Sequence, residues 1–473
     1  MSTRARSTLR RYADVALATG LHLALALTYR YWGGLSITID TERATWDWFW
    51  QAAPLDLLRE RLLETVFYFH AQPPLYNVVG GVLAKLFYPH HLEALHTLNI
   101  VMGALMVLMA GLMLRNLVPW RPLRLLTLLF IALHPSLYIY GAYILYDQMT
   151  AFLVMGCIFC VWLYTRHPRV RWLVACALML NLLVLTRSFF HPIILIAAIA
   201  ILGLWSRPGQ RRRAISAATL ISGATVFFLV KNLVVFGFFG LSSWSGMSLY
   251  RVAVQHSYNE QELAALIDKG VIAPMMIERA FEVPSVYAPY GYTEESRIPV
   301  LNSDDRNNIN YVAISREYGD AALTLTRREP GRYVAVVIGS YLMYVHPSSR
   351  YMYTERHAEQ LGIHEQIYTA ILGASVPLGG WSLPLMFFIT GAVMLVPAMR
   401  ALSRLRLWPR RWLAFLREHP LPVTIYAFVL YGLLAGVFLE IGENHRFKFI
   451  TEIPFILLAS MVICRALGRF WRR

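Results

Sequence analysis

Apolar residues in this chain come in long unbroken runs, at 125–146, 172–186, 190–205, 214–235, 381–399, 422–441 and 449–464. A helix half-buried in a soluble core shows a polar stripe at helical period, and these runs mostly lack one. Each approaches the ~20 residues that a helix needs to cross a bilayer. Lipid offers no partner to backbone polar groups, so such runs are read as helices. The pattern predicts ten crossings, at about 12–30, 97–114, 125–145, 148–165, 172–187, 190–206, 214–236, 381–399, 421–441 and 449–466. Two weaker stretches, 332–346 and 364–380, form either one extra pair of crossings or helices lying in the interface. The expected fold class is therefore all-α: a polytopic transmembrane protein of about 10–12 helices, with outer juxtamembrane helices and one larger polar outer loop.

The polar intervals set the orientation. Arginines collect between the runs, at Arg4–Arg11, Arg115–Arg124, Arg166–Arg171, Arg207–Arg213, Arg400–Arg417 and Arg465–Arg473, and no acidic residue falls inside any of these six clusters. That is the positive-inside pattern, and it assigns them all to the cytoplasm together with both termini. Residues 237–330 differ, with 12 acidic and 8 basic residues, and are expected outside. The reading divides the chain into an N-terminal transmembrane module, 1–236, with an outer juxtamembrane segment at 31–96; an outer loop region, 237–380; and C-terminal transmembrane helices, 381–473. The N-terminal basic stretch lacks a convincing small-residue cleavage site and reads as a retained first helix.

Composition agrees. Hydrophobic residues make up 57% of 473 and charged residues 15%, against about 25% charged in a soluble chain; mean hydropathy is +0.47. The net charge of +16 would fit a nucleic-acid binder, but its confinement to inner loops makes it an orientation signal, and no nucleic-acid partner is expected. Cys157, Cys160, Cys176 and Cys464 all lie in apolar runs, where packing accounts for them and no disulfide framework is implied.

Ionisable residues beside apolar runs are costly and mark function by default. Here they gather on the outer side: Asp40 and Glu42 after the first helix, His70 before Pro73-Pro74, Asp147 at a helix junction, Arg187 and His191 in a tight hairpin, Lys231 near a helix end, and Glu440, Glu443, His445, Arg446 and Lys448 between the last two helices. One cavity with both carboxylates and cations would suit sugar transfer from a lipid phosphate. A carboxylate would take the acceptor's proton, and cations would stabilise the departing phosphate, for which arginine's planar fork is well shaped. A transporter or flippase of a lipid-linked or anionic substrate is the alternative. It predicts ionisable residues near the bilayer midplane and often an internal repeat, and no repeat is evident.

Five segments, in order, carry a resemblance to the C-type (GT-C) membrane glycosyltransferases, in particular the bacterial branch similar to protein O-mannosyltransferases and the lipid A aminoarabinose transferase. They are Ile37-Thr38-Ile39-Asp40-Thr41-Glu42; His70-Ala71-Gln72-Pro73-Pro74-Leu75-Tyr76 with the small-apolar run from Gly80; His134-Pro135-Ser136-Leu137 leading to Asp147; Lys231-Asn232 leading through Gly246 to Leu249-Tyr250; and Gly442-Glu443-Asn444-His445-Arg446-Phe447 leading to Pro454. The resemblance implies an inverting transferase that moves a sugar from a polyprenyl-phosphate donor to a hydroxyl of a glycolipid, polysaccharide or protein. Basicity and the outer loop suggest a bacterial inner membrane, which would put the outer cavity on the periplasmic face. The resemblance makes Asp40 the expected base, with Glu42 and Asp47 as substitutes, and Asp147 the second acid, which orients the acceptor, binds a cation, or simply complements its helix dipole. Arg187 and Arg446 would meet the donor phosphate or else snorkel. His70, Tyr76, Lys231, Tyr250, Glu443 and His445 complete the expected substrate-binding set. The chain departs from the family in having Gln72 where some relatives have lysine, and Lys231 where arginine is usual. Metal use is unknown from the sequence: no cofactor is certain, a divalent cation stays open, and no His/Cys/Asp spacing is specific for a metal.

Overall fold

The computed structural model describes residues 3–37, 46–302, 307–371, 391–393, 395–396, 399–400, 403 and 409–470. Some expectations fall elsewhere: Asp40 and Glu42, most of the crossing at 381–399, and about half of the stretch 364–380 lie outside the described residues.

The described residues are helical and contain no strand. In chain order the helices are α1 (Thr3–Tyr31), α2 (Leu55–Glu60), α3 (Leu62–Tyr68), α4 (Leu75–Phe87), α5 (His91–Leu117), α6 (Arg121–Ala132), α7 (Pro135–Gly141), α8 (Asp147–Arg166), α9 (Val170–Thr186), α10 (Ile193–Trp205), α11 (Pro208–Phe236), α12 (Ser245–Tyr250), α13 (Glu260–Asp268), α14 (Pro284–Tyr287), α15 (Tyr311–Arg328), α16 (Pro330–Val345), α17 (Glu355–Leu361), α18 (Ile363–Ile371), α19 (Pro409–Glu418), α20 (Pro420–Phe438) and α21 (Asn444–Phe470). Among the described residues six spans are long and apolar enough to cross a membrane: α5, α6–α7 together, α8, α11, α20 and Asn444–Leu467 of α21; α4, α9 and α10 are shorter apolar helices. The protein is an integral membrane protein.

The run at 125–145 is one place where the chain departs from its hydropathy pattern. It is broken between α6 and α7. Pro135 has no backbone N–H and disfavours helical geometry at the residue before it. His134 is accordingly extended, with φ −65° and ψ 116°, and its ring accepts a hydrogen bond from the N–H of Ser136. Helix resumes for two turns and stops again before Asp147, so a stretch that hydropathy reads as one rod is two helices and a non-helical corner. The weak stretch at 332–346 is a 16-residue helix, α16, which packs on α20 and α21.

Helix α8 occupies the centre. It packs on α5, α9, α20 and α21, and its first residue is Asp147. The described residues of 237–330 form short helices and turns and the 18-residue α15. There α12 lies against α15 so closely that a Cβ on Gly246 would sit 1.7 Å from the carbonyl oxygen of Ser315; only glycine permits that approach.

Candidate active site

The corner that Pro135 imposes delivers Tyr140, Tyr143, Tyr146 and Asp147 to one end of the bundle. Asp147 is fully buried at the N-terminus of α8, where the helix dipole favours negative charge. Both of its oxygens are engaged. Arg187 Nη1 donates to Oδ1 at 2.6 Å, and Arg446 donates to Oδ2 from Nε at 3.1 Å and from Nη2 at 3.0 Å. Arg187 stands just past the last turn of α9 on extended backbone. Arg446 is the third residue of α21, and its remaining arm, Nη1, donates to Glu443 Oε2 at 2.7 Å.

Glu443 belongs to a sharp turn between α20 and α21. Gly442 takes φ +93° there, a left-handed conformation that favours glycine. Asn444 ties the turn together, accepting from the N–H of Gly442 at 3.0 Å and donating to the carbonyls of Gly436 and Glu440 at 2.7 and 3.1 Å. The other oxygen of Glu443 accepts from the Tyr351 hydroxyl at 3.3 Å. Glu440, one turn earlier, accepts from Arg251 and from the N–H of Ile441. The cluster thus holds three carboxylates, Asp147, Glu440 and Glu443, and three guanidinium groups, Arg187, Arg251 and Arg446. Buried charge is tolerated only when it is paired and hydrogen-bonded, and this balance satisfies that condition. Aromatic rings wall it: Arg187 lies 4.2 Å from the Phe447 centroid and 5.1 Å from that of Tyr146, close enough for cation–π attraction.

The two turn carboxylates are tuned in opposite directions. Burial raises Glu440 to about 7 against the opposing pull of Arg251. Glu443 is buried too, but Arg446, Arg251 and Arg187 outweigh burial and hold it below the ordinary carboxylate range.

The sequence candidates separate into groups. Asp147, Arg187, Glu443 and Arg446 are directly linked. Tyr76 adjoins them, its ring 5.2 Å from Trp46 and 5.5 Å from Tyr146, with a buried hydroxyl that has no partner among the described residues. His70 and Lys231 form a second polar pocket. His70 Nδ1 pairs with the Ser243 hydroxyl at 2.8 Å and its Nε2 is buried and unpartnered. Burial, and then the charge of Lys231, lower His70 to about 3, so the ring is neutral. Lys231 donates to the carbonyl of Phe69 at 3.4 Å. Gln72 bridges the two groups by accepting from Ser188, next to Arg187, at 3.1 Å. Tyr250 is elsewhere: its hydroxyl donates to the carbonyl of Met276 at 2.7 Å and its ring lies 4.6 Å from Tyr318, which makes it part of the packing of the 237–330 segment. His445 lies against His346, ring centroids 6.3 Å apart.

Arg251 is the member that sequence reasoning missed. It follows Tyr250 directly, in a polar segment where one more arginine carries no signal. Tyr351 and Tyr143 were missed for the same reason, since tyrosines are common at membrane interfaces. Among the described residues there is no group of three or more His, Cys, Asp or Glu that could hold a metal ion.

No family model matches the sequence, and no curated protein matches it. Among solved structures, the chain is similar to the archaeal oligosaccharyltransferase AglB from Archaeoglobus fulgidus in complex with an inhibitory peptide and a dolichol-phosphate, at 14% identity and a TM-score of 0.40, covering 98% of this chain and 52% of that one. It therefore spans about half the length of AglB. It is also similar to ArnT from Cupriavidus metallidurans bound to undecaprenyl phosphate, at 15% identity and a TM-score of 0.30, over 94% of this chain and 77% of that one. The apo state of the same ArnT gives 14% identity and a TM-score of 0.29, over 97% and 78%. The chain is an all-α, polytopic membrane protein with a distant likeness to these structures, and it gathers a charge-balanced arginine–carboxylate cluster at the head of its central helix.

Proposed function

We propose that this protein is an inverting glycosyltransferase that moves a sugar from a polyprenyl-phosphate donor to an acceptor hydroxyl at the periplasmic face of a bacterial inner membrane. The observation that carries the reading is the convergence of Arg187, Arg251 and Arg446 at helix ends, beside Asp147, Glu440 and Glu443. Three arginines in a low-dielectric pocket form a receptor for a phosphate that gains charge as it leaves. Among the described residues Arg187 reaches Asp147 through Nη1 only, so the rest of its fork can face a phosphate oxygen.

The ordered motifs of the sequence supply the remainder. Asp40 is the proposed base, with Glu42 as substitute. The carboxylate takes the acceptor's hydroxyl proton, the acceptor oxygen bonds to the anomeric carbon, and the bond from that carbon to the phosphate oxygen breaks with inversion. Asp147 has both oxygens committed to guanidinium groups and acts as a positioning residue that aims Arg187 and Arg446. The cluster sits at helix termini, as a one-faced enzyme requires, whereas a transporter would place its charges near the midplane.

Binding of undecaprenyl phosphate, followed by native mass spectrometry, tests the receptor. Wild type should bind it in preference to phosphatidylglycerol, and Arg187→Gln should weaken binding by about tenfold or more, the loss of one charge-assisted contact of roughly 1.5–3 kcal/mol. Equal binding of both lipids, unaffected by the substitution, would contradict the assignment.

A further inference from the structure

Beside the cluster is a wall of aromatic rings that ends at the protein surface. Trp48 closes the short turn Trp46–Trp48 and Tyr353 stands in the middle of the turn Met352–Thr354. These rings remain 41% and 38% exposed. Their centroids are 5.5 Å apart and their planes meet at 83°, forming an open corner. Behind the corner, Phe49 meets Trp48 edge-on at 5.1 Å and Tyr351 meets Tyr353 at 5.4 Å. Both lead to Tyr143, at 5.5 and 6.1 Å, which closes a ring of five aromatics. The inner side of that ring is the wall of the charge cluster: the Arg446 guanidinium lies 5.7 Å from Tyr143 and 5.6 Å from Tyr351.

The corner is built on rigid supports. Trp46 donates from its indole N–H to the carbonyl of Ala53 at 2.9 Å, and Asp47 accepts from the N–H of Leu55 at 2.9 Å. The buried Trp46 ring lies on Gly80, where a Cβ would come within 2.1 Å of it. On the other side, the backbone N–H and the hydroxyl of Thr354 donate to the carbonyl of Tyr351 at 2.8 and 2.9 Å. Anchors of an aromatic belt sit at helix ends and face lipid headgroups. These two rings stand on single 3-10 turns and, unlike such anchors, continue inward through Phe49, Tyr351 and Tyr143 to arginine and glutamate.

We propose that Trp48 and Tyr353 form the docking corner for a saccharide ring of the acceptor, an inference that rests on the glycosyltransferase reading above. A pyranose has an apolar C–H face and a polar rim. The face of one aromatic ring covers the first, and the perpendicular ring limits how the sugar can turn. The hydroxyls remain free to point inward, toward the cluster that would hold the donor phosphate. Because the corner lies at the protein surface while the arginines are buried, it suits the acceptor, which arrives from outside the protein. The acceptor class is then carbohydrate: a glycolipid or polysaccharide headgroup.

Saturation-transfer NMR on the full chain in nanodiscs, without maltoside detergent because maltoside is itself a sugar, tests the corner. The probes are the methyl glycosides of glucose, mannose, galactose and N-acetylglucosamine. At least one should receive saturation on its ring C–H protons. Trp48→Ala and Tyr353→Ala should reduce that signal about five- to tenfold, the scale of one lost aromatic contact. Trp48→Phe should retain most of it and guards against misfolding as the cause, and Trp120→Ala, an exposed tryptophan in the inner loop between α5 and α6, should not change it. No saturation with any glycoside, or an unchanged signal in Trp48→Ala, overturns the corner. Undecaprenyl-phosphate binding on the same nanodiscs separates the two readings. Phosphate-lipid binding without sugar saturation removes the corner alone. Sugar saturation without phosphate-lipid binding removes the transferase reading and leaves a carbohydrate site.

Discussion

Arg446 holds more of the site together than any other side chain, since it joins Asp147 on α8 to Glu443 on the turn before α21. Removing one partner of a buried ion pair leaves an uncompensated charge, which costs about 3–5 kcal/mol. Arg446→Ala should therefore lower thermal stability in detergent by that amount, and Asp147→Asn/Arg446→Ala by less than the sum of the singles; additive losses would show that the pair is not coupled. Glu440 gives the site a pH signature. Its carboxyl is held at about 7 by burial, against an ordinary 4.5. Between those values the folded protein keeps a proton that the unfolded chain has released. Stability contributed by this group therefore falls as pH rises across that window, by about 3 kcal/mol in all, and is level above it. Glu443 works in the other direction: held below the ordinary range, it contributes stability above that range which is lost at more acid pH. Melting temperature followed from pH 4.5 to 8 should show the Glu440 slope in wild type and lose it in Glu440→Gln; the same slope in both proteins would assign it elsewhere. At this scale the sequence was legible wherever charge was expensive. Asp147, Arg187 and Arg446 stand out because they interrupt apolar runs. Arg251 does not, although Leu249, Tyr250 and Val252 beside it are apolar, because it falls in a stretch read as a polar loop and only the fold brings it to Glu440.

Helices were legible from hydropathy in position but not in continuity. The runs at 148–165, 172–187 and 214–236 are α8, α9 and α11 to within a few residues at most ends, because an uninterrupted apolar stretch has one solution in lipid. The basic start of α11 was not, since helix continues through Arg211–Arg213, where charge at a membrane boundary costs little. The break between α6 and α7 comes from a single proline, which hydropathy averages away. The outer segment was the least legible. Its short helices are set by tertiary contacts, such as the approach of α12 to α15 at Gly246. A methyl group there would meet the Ser315 carbonyl, and overpacking of this kind costs about 1–3 kcal/mol or more. Gly246→Ala should loosen 237–330 selectively, seen as faster limited proteolysis of that segment while the membrane helices remain folded. Unchanged proteolysis would mean that the two helices can separate without cost.

The proposed orientation gives the whole molecule two opposed faces: the arginine-rich intervals of the sequence on one, the acidic-rich 237–330 segment and the charge cluster on the other. Single cysteines in a background with the four native cysteines replaced would test this. In intact bacterial cells a membrane-impermeant maleimide should label Glu294→Cys and not Arg212→Cys, whereas after permeabilisation both should react. The reverse pattern would invert the topology and take the site away from the periplasm. The charge bias that predicts an orientation was legible in all six arginine clusters. That residues 147, 187, 443 and 446 share one site was expected from that bias, but their pairing and the place of Arg251 were not legible, since sequence distance says nothing of which helix ends meet. The central claim concerns turnover. Its most direct measurement is the transfer of radiolabelled sugar from purified polyprenyl-phosphate donors, in liposomes, by wild type and by folded Asp40→Asn and Arg446→Lys. The account predicts transfer, or slow donor hydrolysis, by wild type, loss of at least about a hundredfold in Asp40→Asn for want of a base, and a clear loss in Arg446→Lys, which keeps the charge but not the fork. Full activity in both variants would contradict it, and so would wild-type protein that binds these donors and never cleaves them.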